Sequence, residues 1–523
     1  MTEIASSSSA PAWKVEPLDR TVLLLAVGVK LALHLATANR YGYFRDELYF
    51  LDLGRHLDWG YVDCAPLIAV YAKVALLLGG SLPVLRGIGA VAGAAKVAVT
   101  IILARELGGG RYAQLLAGLC ALFAPIFLAV DTLMTMNGFE PLFWMGCVFA
   151  IIRLVRTGDS RWWIPFGVFA GLGLENKHST LLFGASVVIA LILSPERREL
   201  GKRWIWIGGA IALLLFLPNL IWQVRHGFPT LEDLENVKRS GKNVVLSPLA
   251  FVKEQVVFLN PLLLPVWLAG LASLLFGRLS RARILGYMYL ALLVLMIAGH
   301  AKNYYLAPVY PMLFAAGGVA IEGWLARSRW SAGRLWPRVA IAVALLLVTA
   351  PFVPAILPFL PPERLLAYQR RIGVSDTKTE VRHEGPLEQR FGDQFGWPEL
   401  VADVAKIYNA LPPEERAHTG IFASNYGEAG ALNLYGPKLG LPPPICAHQN
   451  HYFWGPPPTP DPTTLIWLQW SRRGVEDHCR SVEQAGQHFH PWGMAEENRP
   501  IYLCRGLKHT IAEYWTPDFK HWN

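Results

Sequence analysis

The sequence predicts an α-helical membrane protein that crosses the bilayer many times and ends in a small α/β domain outside the membrane. Three observations carry this. Of 523 residues, 53% are hydrophobic and only 17% charged, well to the apolar side of an ordinary soluble chain. The apolar residues come in blocks close to the twenty or so that cross about 30 Å of hydrocarbon. The blocks stop near residue 358, beyond which Pro and Gly punctuation takes over.

Residues 1–20 are polar and Ser-rich, and the first apolar block spans 21–39. Ala36-Thr37-Ala38 resembles a cleavage site, but the leader lacks a net basic region and Lys30 and His34 interrupt the block, so we read a retained anchor. Segment 67–78 is apolar yet too short to span, and Gly79-Gly80 closes it; it is expected to lie along the membrane surface. Further blocks fall at 82–107, 112–130, 139–155, 162–174, 179–193, 204–222, 260–276, 284–298, 304–325 and 339–357, which brings the expected spans to about eleven. Lys30 and His34, four apart on one helix face, and Lys96 within the next long span should face the bundle interior, because lipid is costly for a charge. The chain thus divides into a tail at 1–20, a membrane domain at 21–358 and a C-terminal domain at 359–523. In the last, 398–411 has helical spacing, whereas 419–423, 465–470 and 501–503 read as short strands between loops such as Pro442–Pro444 and Pro456–Pro458.

The formal charge of +9 invites a nucleic-acid reading, but the basic residues form no continuous face with interleaved aromatics. They mark topology instead. Lys and Arg crowd the loops at 105–111, 153–161, 197–203, 278–283 and 327–338, while the alternate loops at 41–63, 131–140, 175–178, 223–242 and 300–303 mix acids, His and aromatics. By the positive-inside tendency the N-terminus is cytoplasmic and the C-terminal domain extracytoplasmic. Of six Cys, Cys120 and Cys147 fall inside spans. Cys446, Cys479 and Cys504 lie in the tail, where an oxidising compartment allows one disulfide whose pairing the spacing leaves open.

Chemistry-bearing residues gather on the outer side. Asp46 and Glu47 sit among aromatics in the first outer loop, followed by Asp52, His56, Asp58 and Asp63. A carboxylate shielded from water just outside a span can act as a base on a hydroxyl, although a solvated loop with interface anchors fits the same residues. Asn137 and Glu140 stand at the mouth of the span that follows the second outer loop, where a half-buried acid needs a polar partner or a helix N-terminus. Lys177-His178 and His300-Ala-Lys302-Asn-Tyr304-Tyr305 are basic clusters on the outer side, against the usual bias. An anion such as phosphate would account for them, and so would Lys snorkelling beside interfacial Tyr. No P-loop, Gly-rich dinucleotide turn or paired Cys-x-x-Cys is present.

Asp46-Glu47, Phe139-Glu140-Pro141 and the His300–Tyr305 segment before Pro308 and Pro311 together resemble the bacterial branch of the family 39, protein mannosyltransferase-like GT-C glycosyltransferases, akin to the lipid A aminoarabinose transferases. Phe395-Gly-Trp397-Pro398, Asn425-Tyr426-Gly427-Glu-Ala-Gly430 and Tyr452-Phe-Trp454-Gly455-Pro456 in the tail extend the resemblance over nearly the whole chain. It implies a GT-C fold in the bacterial inner membrane and an inverting transfer from a polyprenyl phosphate sugar to an extracytoplasmic hydroxyl on a glycan, lipid or protein. Asp46 matches the catalytic acidic position, with Glu47 beside it. Glu140 falls at the second acidic position, where the family often carries Asp, so its carboxylate is set further out. Lys177, His178, His300, Lys302, Tyr304 and Tyr305 would hold the donor phosphate, with Arg45 and Asn137 completing the substrate-binding set. Preorganised cations there stabilise charge that builds on the leaving phosphate. Such enzymes generally need no divalent metal, and although Cys446-Ala-His448-Gln-Asn-His451 offers ligand types, neither a metal nor another cofactor is expected. The expected partners are the lipid-linked donor, membrane lipid and an acceptor, with no nucleic acid. The alternative is a transporter or flippase, but transporters commonly carry paired repeats and midplane charges, whereas the acids here collect on the outer face.

Overall fold

The computed structural model describes residues 13–328, 333–374, 384–457 and 461–522. Most of the expected N-terminal tail, together with Arg-containing loop residues 329–332 and Pro458, lies outside the described residues. Each of the eleven apolar blocks is helical. Seven helical segments are long and apolar enough to cross a membrane: Arg20–Thr37, Leu82–Glu106, Met136–Thr157, Arg203–Arg225, Ser280–Ala298, Asn303–Arg327 and Trp336–Ile356. Two more qualify as sharply bent pairs, Thr180–Leu193 with Pro195–Gly201 and Pro248–Leu259 with Pro261–Leu275. The other two blocks contain the shorter helices Arg111–Phe123 and Trp163–Asn176.

By internal contacts the chain forms two compact units. The first comprises the described residues up to Ala38, Arg86–Leu220 and Val245–Phe359, and holds all or most of each spanning helix. Its interior is aromatic and aliphatic; Trp144 stacks on Phe183 at 4.7 Å between ring centroids and gives its indole N–H to Thr180 Oγ1 at 3.2 Å. Lys30 and Lys96 do face inward, each fully buried, and their partner is one that the sequence reading had set in a polar outer loop. Asp131 is fully buried, with Oδ2 2.8 Å from Lys30 Nζ and Oδ1 2.7 Å from Lys96 Nζ. Lys30 also donates to the Phe127 carbonyl at 2.9 Å, and Lys96 lies 4.3 Å from the centre of the Phe127 ring. Gly93 makes room for this: a Cβ there would come within 2.6 Å of Asp131 Oδ2.

The second unit joins Asn39–Leu85 and Ile221–Val244 to the described residues from Leu360 onward. The first outer loop is not irregular. It contains the helix Arg45–Arg55, followed by the helix Leu67–Leu77. In the tail, the helix Trp397–Ala410 and a four-stranded sheet are the main elements. Strands β1 (Thr419–Phe422), β2 (Thr464–Leu468), β3 (Cys479–Gln487) and β4 (Pro500–Leu507) are arranged β1-β2-β4-β3, with β1 parallel to β2 and the other pairs antiparallel. The sequence reading missed β3, whose largely exposed, polar residues give no alternating apolar signal. Cys479 and Cys504 form a disulfide that ties β3 to β4, while Cys446 is a buried free thiol.

Candidate active site

In the second unit, Arg45, Asp46 and Glu47 occupy the first turn of their helix, where exposed N–H groups favour acids. The two neighbouring acids are used differently. Glu47 is fully buried and turns back to accept the Phe44 N–H at 2.9 Å, capping its own helix. Asp46 is half-buried, and its Oδ1 accepts the Tyr426 hydroxyl at 2.8 Å. Arg45 is committed to acids of the tail, Asp393 at 3.6 Å and Glu496 at 3.3 Å, and lies 5.7 Å from the centre of the Tyr426 ring. Tyr426 begins the helix Tyr426–Tyr435, which lies against Arg45–Arg55 because Gly427 and Gly430 have no side chains: a Cβ on Gly430 would meet the Leu48 backbone at 2.8 Å, and one on Gly427 would meet Arg45 Cγ at 2.6 Å.

Asp63 completes this acidic group. Its Oδ1 accepts the Tyr49 hydroxyl at 3.1 Å. Burial, then the charges of Asp233 and Asp46, push its carboxyl up to about 7. The folded chain therefore holds this proton over a range where the unfolded chain has lost it, and the contribution to stability declines as pH rises between about 4 and about 7. The expected result is that the melting temperature of Asp63→Asn, relative to the parent, rises as pH is raised from about 5 to about 8. Thermal unfolding in detergent checks this, and a pH-independent difference would contradict it.

The first unit holds the second group. The helix Met136–Thr157 presents Asn137 and Glu140 near its start, and Lys177 follows the helix Trp163–Asn176. Lys177 Nζ donates to Asn137 Oδ1 at 2.8 Å and to Glu140 Oε2 at 3.2 Å. It also sits 3.7 Å from the centre of the Tyr305 ring and 6.0 Å from that of Tyr304. Ser179 donates to the other Glu140 oxygen. Five of the residues singled out in the sequence, Asn137, Glu140, Lys177, Tyr304 and Tyr305, are thus brought together. His178 is not a second cation. Its Nε2 lies 3.3 Å from Asn219 Oδ1, and burial holds its imidazole below the ordinary value, so it is neutral at pH 7. His300 is exposed and makes no side-chain hydrogen bond or ion pair among the described residues; Lys302 is half-buried at the head of the turn Asn303–Val309. Neither Ser179 nor Tyr426 is among the site residues the sequence singles out, although Tyr426 lies in a motif that carries the resemblance and Ser179 opens an apolar block. Among the described residues no group of three or more His, Cys, Asp or Glu side chains is arranged to hold a metal.

Residues 63–222 match the family described as dolichyl-phosphate-mannose-protein mannosyltransferase. The chain is 24% identical over 329 residues to the lipid A galacturonosyltransferase RgtD of Rhizobium johnstonii, an alignment covering 60% of this chain and 67% of that protein. Its fold is that of ArnT from Cupriavidus metallidurans. The ArnT structure bound to undecaprenyl phosphate superposes with a TM-score of 0.61 at 15% identity, covering 96% of this chain and 99% of that one. The apo form gives 0.59 at 15% identity over 95% and 98%. The resemblance read from the sequence is upheld: part of the chain matches a protein mannosyltransferase family, and its fold is of the GT-C type.

Proposed function

We propose that this chain, a multi-pass membrane glycosyltransferase of GT-C type, moves a sugar with inversion from a polyprenyl phosphate to a hydroxyl of an extracytoplasmic glycolipid of the lipid A class. The observation that carries the reading is Asp46, a half-buried carboxylate at a helix N-terminus with one oxygen engaged by Tyr426. A base so held can take the proton of an acceptor hydroxyl as its oxygen attacks the anomeric carbon, while the bond from that carbon to the phosphate oxygen breaks. Lys177 is the cation for the departing phosphate, and Glu140, Asn137 and the Tyr305 ring hold its ammonium in place. Glu140 is the positioning acid of this set rather than a second base. The donor's isoprenoid tail favours a membrane enzyme, since each buried CH₂ contributes about 0.8 kcal/mol. The lipid A class of acceptor is supported by the name of the relative RgtD. The extracytoplasmic placement of the C-terminal domain is supported by the Cys479–Cys504 disulfide, because such bonds persist in oxidising compartments.

Purified protein in liposomes, supplied with polyprenyl phosphate sugars and lipid A, tests the reading by mass spectrometry. A hexose or pentose mass added to the acceptor supports it, and failure to consume any such donor overturns it. In that assay Lys177→Met is expected to raise donor KM or lower kcat by about ten- to a hundredfold, the size of a lost charge-assisted hydrogen bond, without altering acceptor KM. Unchanged donor parameters would remove Lys177 from the phosphate.

A further inference from the structure

Four consecutive tail residues, His448, Gln449, Asn450 and His451, are all buried. Each commits a polar atom to a different part of the acidic group. His448 Nδ1 accepts the backbone N–H of Tyr426 at 3.0 Å, and Gln449 Nε2 donates to Asp233 at 3.1 Å. Asn450 Oδ1 accepts the N–H of Val62, the residue before Asp63, at 2.7 Å, and its own N–H reaches the Tyr49 hydroxyl, which donates to Asp63. His451 Nε2 lies 3.3 Å from Asp52 on the helix that begins with Arg45 and Asp46. Gln449 has a φ of +49°, a region that non-glycine residues occupy only where their surroundings over-determine it. Here its N–H is fixed to the His521 carbonyl at 3.0 Å while its side chain holds Asp233.

We propose that this segment is the template of the acidic group and that Tyr426 is its positioning residue for Asp46. The His448 ring stacks on the Tyr426 ring at 4.9 Å with the planes 6° apart, and its Nδ1 holds the Tyr426 N–H, so ring and backbone are both fixed. The phenol then has one direction available for its proton, Asp46 Oδ1. That donation fixes one carboxylate oxygen and leaves the second for the acceptor hydroxyl. The inference rests on Asp46 being the base.

Tyr426→Phe keeps the ring stack on His448 and removes only the hydroxyl. We expect kcat to fall about tenfold with donor KM unchanged within about twofold, since the carboxylate loses the donor that orients it. A merely structural hydroxyl would move the melting temperature and leave kcat per folded enzyme in place. Difluorotyrosine at position 426 retains the shape and is a stronger donor, so it should keep kcat at or above the parental value. If Asp46→Asn is inactive while Tyr426→Phe keeps the parental kcat, the positioning role is overturned and the base survives. If Asp46→Asn remains fully active, the base reading falls and this inference with it.

Discussion

Asp46→Asn is expected to lower the initial rate of sugar transfer by about a hundred- to ten-thousandfold, the range a positioned general base contributes, with protein level and melting temperature close to the parent. The amide keeps the shape of the side chain and still accepts the Tyr426 proton, but it cannot take one from a hydroxyl. Glu47→Gln, one residue on, should behave in the opposite way. Glu47 is spent on the Phe44 N–H and caps its helix, so the amide should cost about 1 kcal/mol of stability or less and leave the rate nearly unchanged. Initial rates in liposomes, normalised to folded protein, separate the two. Equal losses of rate at both positions would mean that the pair works as a unit.

The second large effect concerns the buried ion cluster of the first unit. Asp131→Ala strips both Lys30 and Lys96 of their counter-ion in a place that water does not reach, and removal of one side of a buried pair typically costs about 3–5 kcal/mol. Lys96→Met should cost far less, because it leaves one cation facing one anion and replaces the ammonium with an apolar side chain of similar length. This asymmetry is specific to a cluster with two cations and one acid. It can be read as the difference in unfolding midpoint between the two variants in detergent micelles; an equal loss for both would show that charge balance does not govern the cluster.

Spans, strands and sites differed in how openly the sequence announced them, for physical reasons. Apolar blocks must be contiguous to cross hydrocarbon, so the seven spanning segments and two bent pairs among the described residues were visible, and the count of about eleven was too high because two blocks hold helices too short to qualify. β1, β2 and β4 are apolar stretches in the tail and could be seen, whereas β3 is exposed along most of its length and hid among polar residues. Asn137, Glu140 and Lys177 were marked separately because acids and cations beside spans are costly without a purpose, and their meeting needed coordinates. Glu47 shows the limit of reading neighbours alike: two adjacent acids in a first turn look equivalent in sequence, and only their side-chain directions show that one caps the helix while the other meets Tyr426. Asp131 looked like a loop acid because it falls between apolar blocks. Its burial depends on a glycine 38 positions earlier, Gly93, whose missing side chain admits it. The hold of Tyr426 on Asp46 spans 380 positions and had no local signal beyond the motif around it.

The same ion cluster constrains how the protein is made. The two lysines leave the ribosome well before Asp131, so for that interval each must enter or approach the membrane alone, at a cost of about 2.5–3.5 kcal/mol if placed mid-bilayer. The helices Arg20–Thr37 and Leu82–Glu106 would therefore linger beside the translocation machinery, or ride high with their ammonium groups near the headgroups, until the later acid is synthesised and draws them inward. Assembly of the bundle is in this sense timed by translation, with Asp131 as the residue whose arrival lets the earlier segments settle.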